Sequence, residues 1–451
     1  MERVDVAIVG GGPAGTSAAW AAAAAGANAL VLEKGVPRAD RDGLGPDSTD
    51  AAGMLDYWVD LMDLPVDIPD EVVLRTLDGA DFIGPTETLS IEDTGLEASY
   101  PDFGFAFDRA GLDDWLRGEA EAAGATYRVG DSVTGVDSEV SGPGGPTHTL
   151  ELAGGEAVEA DALILADGPQ RTVTGPALNQ FLDTPLGERM PSTEVNHIAY
   201  QEHRRVPEEL FENDRLKFWW GYMPGHTAYP WVFPNDGTVA RVGLTMPIGL
   251  DIEEFDPSEW ALLREDDDAI PSGSEYLQRL LAREYPGYDL EDFPLVEDRG
   301  KRGGTETYPI SSTRPIESPT TANVAVVGGA MGATSAFHEG GDHVAVRTGR
   351  VAGRLAAEDR LERYNDAWQD AIGDEVLRNA TLAAIVEPYG PDDWDRAFAA
   401  ADTMLNRGEY SLFSLLRSGL TGIRMLRTYR KTKGRFADGA YVQLRESEFA
   451  V

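Results

Sequence analysis

Between Val4 and Glu33 the chain runs through an apolar segment, a glycine-rich turn, an alanine-rich segment and a second apolar run. Val4 to Val9 is apolar at every position but Asp5, and Ala29 to Leu32 is apolar throughout. Strands buried on both faces of a parallel sheet read this way. Pro13 to Ala25 between them predicts a helix, with proline in the first turn where no N–H is missed. Similar strand-like runs return at Ala162–Leu165, before Asp167-Gly168, and at Asn323–Val327, before Gly328-Gly329. At Tyr229, Trp231 and Phe233 the pattern changes to period two, placing three aromatic side chains on one face of a strand. Pro230 and Pro234 flank that row, which predicts an edge strand. From Ala356 onward the pattern is helical, with Tyr364 and Trp368 four apart on one face. These alternations predict an α/β fold with a second, α+β unit inserted and a helical C-terminal region.

Charge changes the picture of the surface. The 451 residues carry 38 basic and 78 acidic side chains, a net charge of −40, and the carboxylates are spread along the whole chain. Self-repulsion on this scale strains a fold at low salt, so the surface reads as one adapted to molar salt, that of an extreme halophile. Nucleic acid is not an expected partner, because such binding needs Lys and Arg to neutralise phosphates. The absence of cysteine excludes disulfides, thiolate metal sites and thiol catalysis, and no metal site is expected. Met1 to Asp5 lead straight into the first strand without a signal-like segment, so a soluble, cytoplasmic protein is expected. One segment reverses the charge: Arg417 to Arg435 holds seven basic residues and no acidic one. Leu412, Leu416, Ile423 and Leu426 fall on one side of it at helical spacing, although Gly419 and Gly422 weaken the helix. Such a segment suits peripheral contact with anionic lipid through 412–435, or docking of an acidic electron donor. It equally suits packing on the chain's own acidic body.

The turn Gly10-Gly11-Gly12-Pro13-Ala14-Gly15 is a G-x-G-x-x-G in strand–turn–helix context. Gly10 permits the tight turn, Gly12 lets the backbone approach a pyrophosphate, and Gly15 lets helix and strand pack closely. The helix start, at Pro13 and Ala14, offers N–H groups and a positive dipole end to that pyrophosphate. Glu33, closing the second strand with Lys34 after it, is placed for ribose hydroxyls. The motif alone fits FAD and NAD alike, and its place at the N-terminus favours FAD.

Further segments narrow the choice. "ADALILADGPQ" resembles the Asp-Gly fingerprint, here Asp167-Gly168, of flavoproteins built like p-hydroxybenzoate hydroxylase. "FAFDRAGLDDWLRGEAEAAGATYRVGDSVTGV" resembles the same group's helix–strand segment, which implies that Arg109 and the backbone at Val133 contact the cofactor. Arg109 could instead pair with acids of its own helix. "AYPWVFPNDGTVARVGLT" is close to the Y-x-W-x-F-P…G-x-G motif of the geranylgeranyl reductases, except that Thr245 stands at the final glycine. "GGAMGATSAFHEGGDHVAVRTGRVAG" matches their G-D-A-A-G…G-E-G segment without gaps. The chain thus resembles the geranylgeranyl reductase and electron-transfer-flavoprotein dehydrogenase-like branch of that superfamily, over most of its length.

The resemblance implies a Rossmann-like FAD-binding domain at 1–180, with substrate-domain strands near 81–104, a substrate domain at 181–299, a return of the FAD domain at 300–355 and a helical region at 356–451. It implies an FAD-dependent oxidoreductase that reduces double bonds of an isoprenoid or lipid-like substrate, with Gly329, Gly341 and Asp342 on the flavin. Tyr229, Trp231 and Phe233 would line the substrate's place, or simply pack a sheet, where aromatic residues are common. Three departures stand out. Gly329 replaces an Asp that holds the ribityl chain, a net loss of about 0.5–1.5 kcal/mol. The loop after the second strand lacks the cysteine usual in these reductases. His338 and Glu339 stand where they have Thr and Gly. His338, Tyr229 or solvent is the expected proton donor, although a solvated loop histidine reads the same as a functional one at 338. With no second G-x-G-x-x-G, electrons are expected from a ferredoxin-like, flavoprotein or transient nicotinamide donor. Other readings of the same site are a dehydrogenase serving a quinone or carrier protein, an aromatic hydroxylase, and a non-redox cyclase or silent binding protein.

Overall fold

The computed structural model describes residues 1–41, 53–142, 144–311, 313–405 and 420–451. A seven-stranded sheet forms the nucleotide-binding layer. Strand Glu2–Val9 lies at its centre, parallel to Ala29–Glu33 on one side and to Ala157–Leu165 on the other. Thr126–Val129 extends the first side, Val324–Val326 pairs with Leu163–Leu165, and the antiparallel strands Thr147–Leu152 and Val133–Glu139 complete the layer. Val6, Ala7, Ile8 and Val31 are fully buried, as the unbroken apolar runs require. The first helix, Pro13–Ala24, and the return helix, Asp342–Ala357, cross on one face. Gly349 and Gly353 make that crossing close, since a Cβ on either would stand 2.0 Å from the carbonyl oxygen of Ala14 or Ala18.

A second seven-stranded sheet runs in the order Thr305–Ser311, Asn196–Arg205, Val239–Pro247, Tyr229–Pro234, Arg215–Trp219, Gly79–Ile83, Thr88–Ile91. The strand Thr305–Ser311, expected in the return of the FAD domain, pairs here with Asn196–Arg205. The aromatic strand is also not an edge: it lies between Val239–Pro247 and Arg215–Trp219. Its pairing with the latter spans only Lys217↔Val232 and Phe218↔Trp231, so Pro230 and Pro234 fall just outside that short ladder and their missing donors cost nothing there. Helix Gly273–Glu284, capped by Ser272, buries Tyr276, Leu277, Leu280 and Leu281 in the core beside this sheet. A small three-stranded sheet (Gly53–Leu55, Gly104–Phe107, Val73–Leu77) adjoins the cavity described below.

The helical end begins with Tyr364–Val386, whose Tyr364 and Trp368 are fully buried. The Tyr364 hydroxyl donates to Val326 O at 2.9 Å, tying this helix to the last strand of the nucleotide-binding sheet. Helices Pro391–Leu405 and Leu420–Phe436 follow. The predicted apolar side of the basic segment includes Leu412 and Leu416, which with Arg417 lie outside the described residues. Among the described residues no helix is long and apolar enough to cross a membrane.

Two deeply buried histidines make stability depend on pH. Burial pulls His148 from 6.5 down to about 4 and His203 down to about 3. A group whose pKa is lower in the folded chain adds stability above its unfolded pKa and loses it as pH falls toward the folded one. Each therefore gives up about 3 kcal/mol or more between pH about 6.5 and 4 or below. Asp113, raised by burial to about 6, acts in the opposite direction over part of that range. Denaturant melts at constant high salt are expected to show stability falling below pH about 6.5, with a shallower fall in His148→Gln. An unchanged slope in that variant would contradict the assignment.

Candidate active site

The nucleotide cradle is built at the ends of the central strands. Gly10 has φ 102, and a Cβ on Gly15 would stand 1.9 Å from Gly10 O, so both positions require glycine. A Cβ on Gly12 would meet nothing within 4 Å, which leaves the space above the turn open. Helix Pro13–Ala24 starts there with Gly12 as N-cap and no side-chain cap, so its first N–H groups are available to an anion. Glu33 accepts from Gly11 N at 2.6 Å and from Gly35 N at 2.5 Å, which fixes the turn against the second strand. A carboxylate has about four acceptor positions, so capacity remains for ribose hydroxyls. Lys34 is exposed beside it. The loop into Val133 is tied to the same corner, with Gly130 N on Gly35 O at 3.0 Å and Asp131 N on Glu33 O at 3.1 Å. Open glycine turn, uncapped helix start and the carboxylate of Glu33 at the strand end fit a dinucleotide, and these residues would hold the adenosine pyrophosphate of FAD.

Other predicted contacts are engaged with protein groups. The Asp167 carboxylate accepts from Val173 N at 2.6 Å and Thr174 N at 3.1 Å, so it caps the following turn while Gly168 (φ 79) shapes the loop. Buried Arg109 pairs with Asp113 at 3.0 Å and with Asp342 at 3.2 Å. It thereby joins helix Arg109–Ala122 to the start of the return helix, and the pairing with its own helix foreseen in the sequence is present together with one to Asp342. A Cβ on Gly329 would lie 3.2 Å from Pro169 Cδ, so an Asp there would press closely on the loop after Asp167-Gly168. The return helix starts at Gly341 without a side-chain cap, like the first helix. The loop expected to lack a cysteine lies largely at 42–52, outside the described residues.

A cavity of about 540 Å³ lies between the inner face of the second sheet and the start of the return helix. Tyr229, Trp231 and Phe233 all line it, as do Phe82, Phe218 and Trp220, and it ends on His338 to Asp342. Its size and apolar lining are those of a small-molecule site with few polar groups. Trp231 lies flat on Gly243 of the next strand, where a Cβ would stand 2.4 Å from the indole ring. That contact accounts for a glycine at 243. The sequence left the role of Trp220 and Phe218 unseen, since neither belongs to a recognisable motif.

The proton donors named from sequence are held in unsuitable states. His338 lines the cavity, its Nδ1 accepting from Gly340 N at 3.2 Å. Burial, and then the neighbouring His343, pull its pKa to about 4, so the ring is neutral near pH 7. It belongs to a stack in which Trp58 lies 4.5 Å from His343 and 6.1 Å from His338. The Tyr229 hydroxyl donates to His338 O at 2.7 Å, and burial raises its pKa well above 10.0. Glu339, which the sequence set beside the site without a role, is buried and also lines the cavity. Its Oε1 lies 2.5 Å from His197 Nδ1, and Thr245 donates to Oε2.

Comparison with known proteins agrees with this geometry. The profile of the FAD binding domain family matches residues 5–90. Fold and cradle define an FAD-dependent oxidoreductase. Within that class the chain is similar to digeranylgeranylglycerophospholipid reductase 3 of Methanosphaera stadtmanae, with 24% identity over 411 residues, 89% of this chain and 91% of that one. It is 25% identical to digeranylgeranylglycerophospholipid reductase 2 of Methanothermobacter thermautotrophicus over 445 residues, 94% of this chain and 99% of that one. The crystal structure of a geranylgeranyl bacteriochlorophyll reductase-like protein from Thermoplasma acidophilum superposes with a TM-score of 0.70 at 20% identity, covering 97% of this chain and 99% of that chain, and shares the fold.

Proposed function

We propose that this chain is an FAD-dependent reductase that saturates double bonds in an isoprenoid lipid chain. The observation that carries the reading is the aromatic cavity, which runs from Tyr229, Trp231 and Phe233 to the uncapped start of the return helix at Gly341-Asp342. Bound FAD would supply two-electron hydride chemistry at its N5. The protein's own part is to hold the chain against the aromatic row, exclude water and deliver a proton to the second carbon. Helix N–H groups at Gly341-Asp342 would face the pyrimidine end of the ring, where reduction gathers negative charge. The similarity to reductases named for digeranylgeranylglycerophospholipid supports a polyprenyl lipid as substrate.

With one G-x-G-x-x-G in the chain, we assign the reductant to an external ferredoxin-like, flavoprotein or transient nicotinamide donor. Arg427, Arg430, Lys431 and Arg435 are exposed on helix Leu420–Phe436, a face suited to anionic lipid at a membrane surface. The acidic surface sets molar salt as the working condition.

The test is product mass. Protein loaded with FAD, reduced by dithionite and given a polyprenyl glycerophospholipid in molar salt is expected to add one H2 per double bond, with equal consumption of reductant. Product of unchanged mass would refute the reductase reading and favour a non-redox cyclase.

A further inference from the structure

The polar end of the cavity holds one buried carboxylate, and its surroundings are unusual for a structural acid. Glu339 is 8% exposed and adopts φ 58, a left-handed conformation that is costly for a residue with a side chain. What fixes it there is a set of side-chain contacts from three segments. His197 Nδ1 of strand Asn196–Arg205 lies 2.5 Å from Oε1, Thr245 of strand Val239–Pro247 donates to Oε2, and Thr227 Oγ1 stands 3.4 Å from Oε1. The other titratable groups facing it are Tyr229, Tyr308 and His226. Among the described residues no Lys or Arg lies within ion-pair distance of Glu339, so its one ionic partner there is a histidine. The contact is an ion-pair approach without hydrogen-bond alignment; an imidazole partner can still give up a proton, whereas an arginine partner would lock the carboxylate in its charged form.

The pair also has two ends. Glu339 opens on the aromatic cavity and His197 does not. On the far side, the exposed ring of His226 stands edge-on to His197, with centroids 5.9 Å apart. A titratable chain therefore runs from the aromatic cavity to solvent, past the phenol of Tyr229, whose own proton is directed to a backbone carbonyl.

We propose that Glu339 is the catalytic acid of the cavity, reloaded from solvent through His197 and His226; this rests on the reductase reading above. As one carbon of the double bond receives a hydride from reduced flavin, the other receives the proton held at Glu339 Oε1. The C=C π bond is lost, two C–H bonds form, and the substrate gains the two electrons that the flavin gives up. Glu339, left as carboxylate, regains a proton from His197 once the imidazole turns an N–H onto the carboxylate, and His197 takes its own from the His226 side.

The experiment compares wild type with Glu339→Gln, which keeps the size and the Thr245 contact, and with His226→Gln at the surface end. Holoprotein in molar salt is reduced anaerobically, mixed with a polyprenyl glycerophospholipid, and followed by flavin absorbance. Glu339→Gln is expected to bind and reduce flavin as wild type does but to reoxidise about a hundredfold more slowly with lipid, the usual weight of a general acid. His226→Gln is expected to leave the first turnover near the wild-type rate and slow the later ones, with rescue by added imidazole. Wild-type reoxidation rates in Glu339→Gln would overturn the proposal. Failure of the wild type itself to reoxidise with lipid would overturn the reductase reading and this proposal with it. Should Glu339→Gln not fold, His197→Asn, which removes the reloading partner but leaves the acid, is expected to permit one turnover and block the next, and full repeated turnover would count against the relay.

Discussion

Gly243→Leu is expected to abolish reduction of a lipid chain while the protein keeps its flavin. The indole of Trp231 rests on the bare backbone of Gly243, and a Cβ there would stand 2.4 Å from Cε2 and Cζ2 and 2.6 Å from Nε1. A leucine cannot share that space, and the strand behind it is paired on both sides, so the ring must leave its place. The open direction is the cavity that Trp231 already lines. Overpacking of this kind costs about 1–3 kcal/mol in stability. The expected cost to catalysis is larger, because the displaced indole fills the volume proposed for substrate. Turnover with a polyprenyl lipid is expected to fall at least about a hundredfold, equivalent to roughly 3 kcal/mol of barrier. The nucleotide cradle is built on other strands, so the visible spectrum should remain that of wild type. Retained turnover would show that the lipid does not lie against Trp231.

The converse separation is expected at Gly12. Its backbone, at φ −74 and ψ −175, suits any residue, and a Cβ would touch no protein atom within 4 Å. Gly12→Val should therefore leave the melting temperature of the flavin-free protein within about a degree of wild type, as surface changes free of contacts do. The new methyl groups instead enter the space over the uncapped helix start, where the pyrophosphate would lie. A loss of at least about a hundredfold in FAD affinity is expected, close to 3 kcal/mol, measured by titrating the flavin-free protein with FAD. Gly15→Val gives the contrast, because its Cβ would stand 1.9 Å from Gly10 O and the fold itself must give way. Equal FAD affinity in Gly12→Val and wild type would place the cofactor elsewhere.

These two sites differ in how openly the sequence displays them. The glycine turn and Glu33 act within one strand–turn–helix–strand unit, so local spacing is enough to find them. The aromatic row is also local, since residues two apart in a strand share a face. Its position inside the sheet was hidden because Pro230 and Pro234 argue for an edge, and only the short ladder with Lys217 and Phe218 reconciles them with an interior strand. The acid was hidden for a different reason. Glu339, His197 and Thr245 come from three separated segments, and no spacing rule joins them. A trace did exist: Thr245 stands at a glycine of the motif this chain resembles, and so does Glu339. Two departures that look unrelated in sequence meet in space, with the hydroxyl of one donating to the carboxylate of the other. His338 drew attention as the only histidine of that loop, but burial leaves it neutral.

The central claim is that a lipid chain in the aromatic cavity draws hydride from the cofactor held by the glycine turn. The most direct measurement is the absorbance of the dithionite-reduced holoprotein, kept anaerobic in molar salt, after mixing with a polyprenyl glycerophospholipid. The account predicts return of the oxidised flavin spectrum in proportion to double bonds consumed, no return with the fully saturated lipid, and none in Gly243→Leu. A spectrum that stays bleached with the unsaturated lipid, or recovers equally with the saturated one, would contradict it.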